Sequence, residues 1–275
     1  MFSTCEYQYK LKYIDKLSIS SGNINTIFGS SLHFTLQEYL KKVFNVSKVK
    51  ADQMDLDSIL MEEMKKNFTI EREKLGSDVL PATKLEMEEY FGDGINIIEW
   101  FKKNLKKFYS KTRHELIGIE LPLELEIRSG VNFTGFIDVI LKDKIDDKII
   151  IIDLKTSKNG WSKWQKDDPI KKSQLLLYKK FYSDIFNVPM DKITVKYQIL
   201  KRKLYENVQF PIPRISDFCP PNGKPSVNNA HSSFLQFINS VFAENGEYID
   251  RVYNKNVGKH CQWCEFYKKY CDGIK

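Results

Sequence analysis

Asp153-Leu154-Lys155 stands at the end of the apolar run Ile149 to Leu154. Side chains alternate along a strand, so Asp153 and Lys155 share one side and Leu154 takes the other. An acid held beside a lysine in this way can bind a hard cation such as Mg²⁺ through its oxygens. The lysine can orient a water or stabilise charge on a phosphate. Asp-x-Lys alone is common, and its everyday meaning is a solvated pair at a strand end. Upstream, Gly135-Phe136-Ile137-Asp138 sets a second carboxylate among apolar residues, where it is costly to bury unless paired or bound to metal. Two strands of a meander would bring Asp138 and Asp153 together.

Two further groups fit this chemistry. Gly29-Ser30-Ser31-Leu32-His33 reads as the opening of a helix on which His33, Leu36, Gln37 and Leu40 share a face. An inward histidine is usually a satisfied core residue, but here it could add a nitrogen ligand to a cation held by two acids. Gln174 and Tyr178, four apart on a predicted helix, could hydrogen-bond a phosphate or the lysine, although Gln-x-x-x-Tyr is by itself a weak signal.

The elements that must position these residues follow from periodicity. Residues 30–46 read as an amphipathic helix through Leu32, Leu36, Tyr39, Leu40 and Val43. Residues 50–112 read as mainly helical, with a break at Gly92-Asp93-Gly94. Leu121 to Arg128 alternates as a half-buried strand, Ser129-Gly130 turns, and Asn132 to Leu141 is a second strand. Lys142 to Lys148 is a polar turn, and Ile149 to Leu154 reads as a central strand buried on both faces. Helix returns over 170–187. Ile193 to Tyr205 is a basic strand with Lys196, Lys201, Arg202 and Lys203, which could contact phosphates or simply be solvated. Pro211 to Asn229 reads as loop, and Phe234 to Phe242 as a last helix. Trp161 and Trp164 follow the third strand in a polar segment and could stack on unpaired bases, though packing is the commoner use of tryptophan. This order predicts a mixed α/β fold.

Composition narrows the class. The 275 residues carry a formal net charge of +7, which suits a polyanionic partner without demanding one. No apolar run is long enough to span a bilayer, and Met1 to Lys12 lacks the apolar region of a secretory signal, so a cytoplasmic setting is expected. Cys5 lies near the N-terminus, Cys261, Cys264 and Cys271 near the C-terminus, and Cys219 is a leftover thiol. An odd count argues against a disulfide framework. The spacing C-x2-C-x6-C plus a remote fourth cysteine suits four thiolates on zinc or on an iron–sulfur cluster. No Gly-x-x-x-x-Gly-Lys-Ser/Thr loop is present, which argues against ATPase or helicase activity.

Gly29 with His33, Gly135 with Asp138, Asp153 with Lys155 and Thr156, and Gln174 with Tyr178 occur in the order seen in RecB-like nucleases of the PD-(D/E)XK superfamily. Each element is weak; in this order they are a strong signal, and they span 29–178. The one-plus-three cysteines further resemble the iron–sulfur nucleases of the Cas4, AddB and Dna2 group, except that Glu6 follows Cys5 where that group has proline. The resemblance implies a single nuclease domain over 1–275. Its core would be a restriction-endonuclease-like mixed sheet flanked by helices over 29–205, with a helical insertion at about 48–112. Residues 1–17 and 234–275 would be joined by a [4Fe–4S] cluster on Cys5, Cys261, Cys264 and Cys271. It implies Mg²⁺ or Mn²⁺ on His33, Asp138, Asp153 and the Leu154 carbonyl, with Lys155, Gln174 and Tyr178 completing a catalytic set. The implied activity is a DNA exonuclease preferring single strands with free ends, in replication, recombination or repair, in a bacterial, archaeal or viral setting. The alternatives are Cas4-like trimming of DNA for CRISPR spacer acquisition, a non-catalytic DNA-binding relic of the fold, and a zinc-stabilised binding module.

Overall fold

The computed structural model describes residues 1–17, 22–76, 79–205, 209–210 and 212–271. Its helices are α1 (Glu6–Tyr9), α2 (Ile24–Asn45), α3 (Lys48–Asp52), α4 (Leu56–Leu75), α5 (Lys84–Phe108), α6 (Lys163–Asp167), α7 (Pro169–Phe186), α8 (Lys224–Val241) and α9 (Tyr267–Tyr270). Its strands are β1 (His114–Arg128), β2 (Val131–Asp143), β3 (Lys148–Ser157), β4 (Ile193–Lys201) and β5 (Ile215–Phe218). The chain divides into two compact units. One comprises Met1–Ser20, Glu126–Asn132 and Ser233–Lys275; the other comprises Ser21–Leu125 and Phe133–Ser232.

The sheet runs in the order β1-β2-β3-β4-β5. β2 and β4 flank β3, antiparallel and parallel respectively, and β5 is antiparallel to β4, so the sheet is mixed, as expected. The parallel step from β3 to β4 needs a long crossover, which α6 and α7 supply. Ile151, Ile152 and Leu154 are fully buried, which explains why β3 reads as an unbroken apolar run. Val139, Leu141, Ile152, Leu154 and Leu200 join one core with the buried stripes of α2, α4 and α5. By alternation Ile151, Asp153, Tyr197 and Ile199 face the other way, and there Tyr197 Oη hydrogen-bonds the Lys171 carbonyl of α7.

Several boundaries differ from expectation for identifiable reasons. α2 opens at Ile24, one turn before Gly29, because Asn23 caps it through Oδ1 to the Asn25 N–H at 2.9 Å. Ser31 and Thr35 sit inside this helix with their hydroxyls donating to the carbonyls of Ile27 and Ser31. The break predicted at Gly92-Asp93-Gly94 does not occur, and α5 runs through it from a Thr83–Glu86 capping box. Gly94 is there for space: a Cβ would lie 2.4 Å from Leu60 Cδ2 and 3.2 Å from Phe28. β4 ends at Lys201. The predicted loop holds β5 and the first turns of α8; its first residue, Pro211, lies outside the described residues.

The terminal iron–sulfur cluster is corrected. Among the described residues no three His, Cys, Asp or Glu side chains are grouped so as to hold a metal ion. Cys5, Cys261, Cys264 and Cys271 line one small apolar pocket as free thiols. Cys261 Sγ accepts from the Gly258 N–H at 3.4 Å and lies 3.9 Å from the Asn256 carbonyl. Burial pushes the Cys264 thiol up, away from ionisation. The resemblance to the iron–sulfur nucleases and the zinc alternative both lose their footing with this finding. In the same segments, Glu6 instead accepts an ion pair from Arg251 at 3.0 Å, and Tyr7 N–H donates to the Asn254 carbonyl at 3.1 Å.

Candidate active site

The β2–β3 register pairs Val139 with Ile152, and extending it by one residue sets Asp138 level with Asp153. Asp138 Oδ2 accepts a hydrogen bond from the Leu154 N–H at 2.6 Å. Asp153 is 2% exposed, and its Oδ2 lies 2.8 Å from Lys155 Nζ. The Asp153 Oδ1 accepts from Gln174 Nε2 at 3.0 Å, and that same Nε2 donates to Tyr178 Oη at 3.1 Å. His33 Nδ1 is 3.7 Å from Asp138 Oδ2, too long for a hydrogen bond. Thus α2, β2, β3 and α7 bring His33, Asp138, Asp153, Lys155, Gln174 and Tyr178 to one place.

Burial dominates the electrostatics. It pushes the His33 imidazole down to about 4, so this side chain is neutral at pH 7. It pushes both carboxyls up, against the pull of the Leu154 N–H and Lys155 on Asp138 and of Lys155 on Asp153. The Asp138 charge raises Asp153 further. Two like charges in a buried site are unfavourable without a cation between them.

Two buried polar atoms here have no hydrogen-bond partner among the described residues, His33 Nε2 and Asp153 Oδ2; the latter meets only the Lys155 charge. Orphaned buried acceptors are rare and point to an absent ligand. Two carboxylates, a neutral imidazole and open lone pairs fit a hard divalent cation in donor chemistry. The side chains as they stand are not grouped as a ligand set, because Asp138 is turned onto Leu154 and Asp153 onto Lys155 and Gln174.

Close packing shapes this corner. A Cβ on Gly135 would lie 2.8 Å from Tyr178 Cε1, so only glycine lets the ring reach its place beside Gln174. Three residues that sequence reasoning passed over complete the arrangement. Tyr197, fully buried, pairs with Asp153 in the β3–β4 register. Its hydroxyl lies 3.4 Å from Gln174 Oε1, and Lys155 Nζ lies 5.9 Å from its ring centre. The single phenol proton goes to the Lys171 carbonyl, so the contact with Gln174 Oε1 is not a second donated hydrogen bond; the Gln174 N–H groups are oriented by Asp153 and Tyr178. Gln37 donates to the Asp138 carbonyl at 3.3 Å and to Glu120 Oε1 at 2.6 Å. Glu120 holds a left-handed backbone at φ +50°, a strained conformation for a residue with a Cβ. Only Gln37 left a signal, its place on the His33 face; the pairing that brings Tyr197 to Asp153 is non-local and invisible in the sequence.

The other flagged residues are elsewhere engaged. Lys196 pairs with Asp217 at 2.7 Å, and Lys201 Nζ donates to the Pro213 carbonyl at 3.0 Å. Arg202 pairs with Asp93 at 2.8 Å, and Lys203 with Glu89 and Asp93 at 3.0 and 2.9 Å. Trp161 packs on Tyr197 at 4.8 Å between ring centres. Trp164 is 87% exposed. No described helix is long and apolar enough to cross a membrane.

Among solved structures, a provisionally named exonuclease from Eubacterium rectale is 15% identical, with a TM-score of 0.48, covering 95% of this chain and 86% of that one. No curated protein matches the sequence. A family model described as the PD-(D/E)XK nuclease superfamily matches residues 1–272, nearly the whole sequence. The chain belongs to the PD-(D/E)XK nuclease superfamily.

Proposed function

We propose that this superfamily member hydrolyses phosphodiester bonds of DNA with a divalent cation, Mg²⁺ or Mn²⁺, at the centre formed by Asp138, Asp153 and Lys155. The observation that carries the reading is the pair of facing, raised carboxyls beside the buried, unpartnered His33 Nε2, with Asp153 Oδ2 met by the Lys155 ammonium alone. His33, Asp138, Asp153 and the Leu154 carbonyl would hold the cation. When bound, such an ion polarises a phosphate oxygen and lowers the pKa of a water.

The chain's own groups do the rest. Lys155, 2.8 Å from Asp153, places a positive charge where charge develops on the phosphate, or orients the attacking water. Gln174 fixes the rotation of the Asp153 carboxylate through Oδ1, leaving Oδ2 toward Lys155. Tyr178 steadies Gln174 and, with its phenol held neutral by burial, can donate a hydrogen bond to a phosphate oxygen. The exposed Trp164 offers a stacking face for an unpaired base, which supports single-stranded DNA as substrate.

The experiment is cleavage of linear and covalently closed DNA, single- and double-stranded, with Mn²⁺ and with chelator. Metal-dependent loss of linear single strands, with closed circles spared, is expected of end-directed action. Asp153→Ala should abolish cleavage and weaken Mn²⁺ binding, read by calorimetry, while circular dichroism is unchanged. Wild-type rates from a folded Asp153→Ala protein would remove Asp153 from the site.

A further inference from the structure

The positive charge that the sequence places on β4 and the residues after it is spent within the fold: Lys196, Arg202 and Lys203 each meet a carboxylate within 3.0 Å. The chain nevertheless carries a net charge of +7. A concentration of it lies on the helical layer. Lys102, Lys103, Lys106 and Lys107 on the last turns of α5 line an open cleft with Asn104 and with Lys48 of α3. Among the described residues, no carboxylate lines that cleft.

The acids in reach do not neutralise it. Lys48 pairs with Asp52, and Lys103 lies 3.8 Å from Glu99. Lys102 Nζ donates to a backbone carbonyl, that of Asp52, at 3.3 Å. Lys107 Nζ lies 5.6 Å from the Phe108 ring centre. Five ammonium groups against two carboxylates leave three uncompensated charges. The ordinary reason for lysines at a helix C-terminus is the macrodipole, but that effect fades within the last turn. It accounts for Lys106 and Lys107, not for Lys102 and Lys103 a turn earlier, nor for Lys48 brought in from another helix.

We propose that this cleft is a second nucleic-acid contact, built from α3 and α5 and not from the elements of the acidic centre, that grips the phosphate backbone of the strand being processed. The inference rests on the reading of DNA as the substrate. Lysines, as flexible point charges, suit sequence-independent contact with phosphates. A nuclease whose other flagged cations are internally paired needs a separate source of electrostatic hold, and a carboxylate-free lysine cleft supplies it.

The test uses the full chain in chelator, so that nothing is cut, and measures binding of a labelled single-stranded oligonucleotide from low to moderate salt. Each lost phosphate contact should reduce the slope of log K against log salt by roughly 0.7–0.9. The triple variant Lys102→Glu, Lys106→Glu, Lys107→Glu should therefore lose roughly 2–3 from the slope. It should bind at least about tenfold more weakly near 0.1 M salt, as expected for losing that many contacts. Its Mn²⁺-dependent hydrolysis of a small phosphodiester, a nitrophenyl nucleotide, should be unchanged, and its melting temperature should fall by only a few degrees, the loss of the favourable helix-dipole contacts of Lys106 and Lys107. The glutamine version of the same triple should show the same direction with a smaller effect, and it serves if charge reversal disturbs folding. An unchanged slope and affinity in a folded variant would overturn the proposal. Binding with the expected slope change but no hydrolysis by any form would support the cleft and sink the proposed reaction instead. Failure of the wild-type chain to bind oligonucleotide at all would overturn both.

Discussion

Removing the Asp93 carboxylate should be among the most destabilising single changes in the molecule. Asp93 and Arg202 side chains are 7% and 8% exposed and 2.8 Å apart. The Arg202 guanidinium carbon lies 3.5 Å from the Tyr90 ring centre, and Lys203 Nζ lies 2.9 Å from the other Asp93 oxygen. Asp93→Ala leaves a buried guanidinium with only a ring face, and Lys203 with Glu89 alone. Breaking one side of a buried pair costs about 3–5 kcal/mol. At roughly 2–4 °C per kcal/mol for a unit of this size, the melting transition should fall by about 6–20 °C. Hydrogen exchange should show the loss concentrated in α5 amides. The companion variant Asp93→Leu with Arg202→Met replaces the pair by apolar groups and should recover most of the loss, since the charge is then gone and not stranded. A loss below about 1 kcal/mol from Asp93→Ala would mean that Arg202 finds water or another acceptor, and the argument from burial would fail.

Tyr197→Phe removes the hydroxyl that donates to the Lys171 carbonyl on α7; leaving that carbonyl unpaired should destabilise the fold by about 1–2 kcal/mol in urea titrations, with kcat little changed. A fall in kcat that vanishes in a Gln174→Ala background would refute this and show that Tyr197 acts through Gln174. Gly92 has nothing within 4 Å of a built Cβ and sits inside α5, so Gly92→Ala should stabilise by about 0.5–1 kcal/mol. Gly94→Ala, crowding Leu60 and Phe28, should destabilise by about 1–3 kcal/mol in the same urea titrations. Burial would raise the Asp143 carboxyl, but Arg113 and the Ile145 and Asp146 N–H groups outweigh it and hold it down at about 2. A depressed carboxyl stabilises the fold above its unfolded pKa of about 4, and the benefit is lost as pH falls from there through about 2. Asp143→Asn should therefore be less stable than wild type at pH 7 and should show a flatter decline between pH 4 and 2, measured by urea midpoints.

The elements were largely legible because their signals are local. The stripe of α2, the alternation of β1 and the apolar run of β3 each follow from what a single helix or strand must bury. The approach of Asp138 to Asp153 was legible for a related reason: β2 and β3 are consecutive and antiparallel, so the chain's order gives their neighbourhood. What failed was non-local. Gly92-Asp93-Gly94 has the composition of a break, yet Asp93 is consumed by Arg202, 109 residues away, and Gly94 by Leu60 of α4. Tyr197 reaches Asp153 only through a parallel pairing across a two-helix crossover, and no spacing announces it.

The same distinction explains why the cysteines and the basic strand are engaged in other ways than their spacing suggests. Spacing reports which residue types can meet, not the ionisation state in which they do. Asp138 and Asp153 meet in a buried corner that penalises their charges and leaves lone pairs open, a state that calls for a cation. The four thiols also come to one pocket, but an apolar one in which, among the described residues, they are not grouped to hold a metal ion and burial pushes Cys264 away from its thiolate. Lys196, Arg202 and Lys203 meet carboxylates from distant parts of the chain and are neutralised. Among the described residues, the cations left open to a polyanion include Lys106 and Lys107 of the α3–α5 cleft, while Lys155 is held beside Asp153 at the acidic centre. A nuclease arranged in this way would gain affinity from one surface and chemistry from another. Raising salt should then weaken binding steeply while leaving turnover of substrate already bound nearly unchanged, since the buried Asp153–Lys155 pair is little screened.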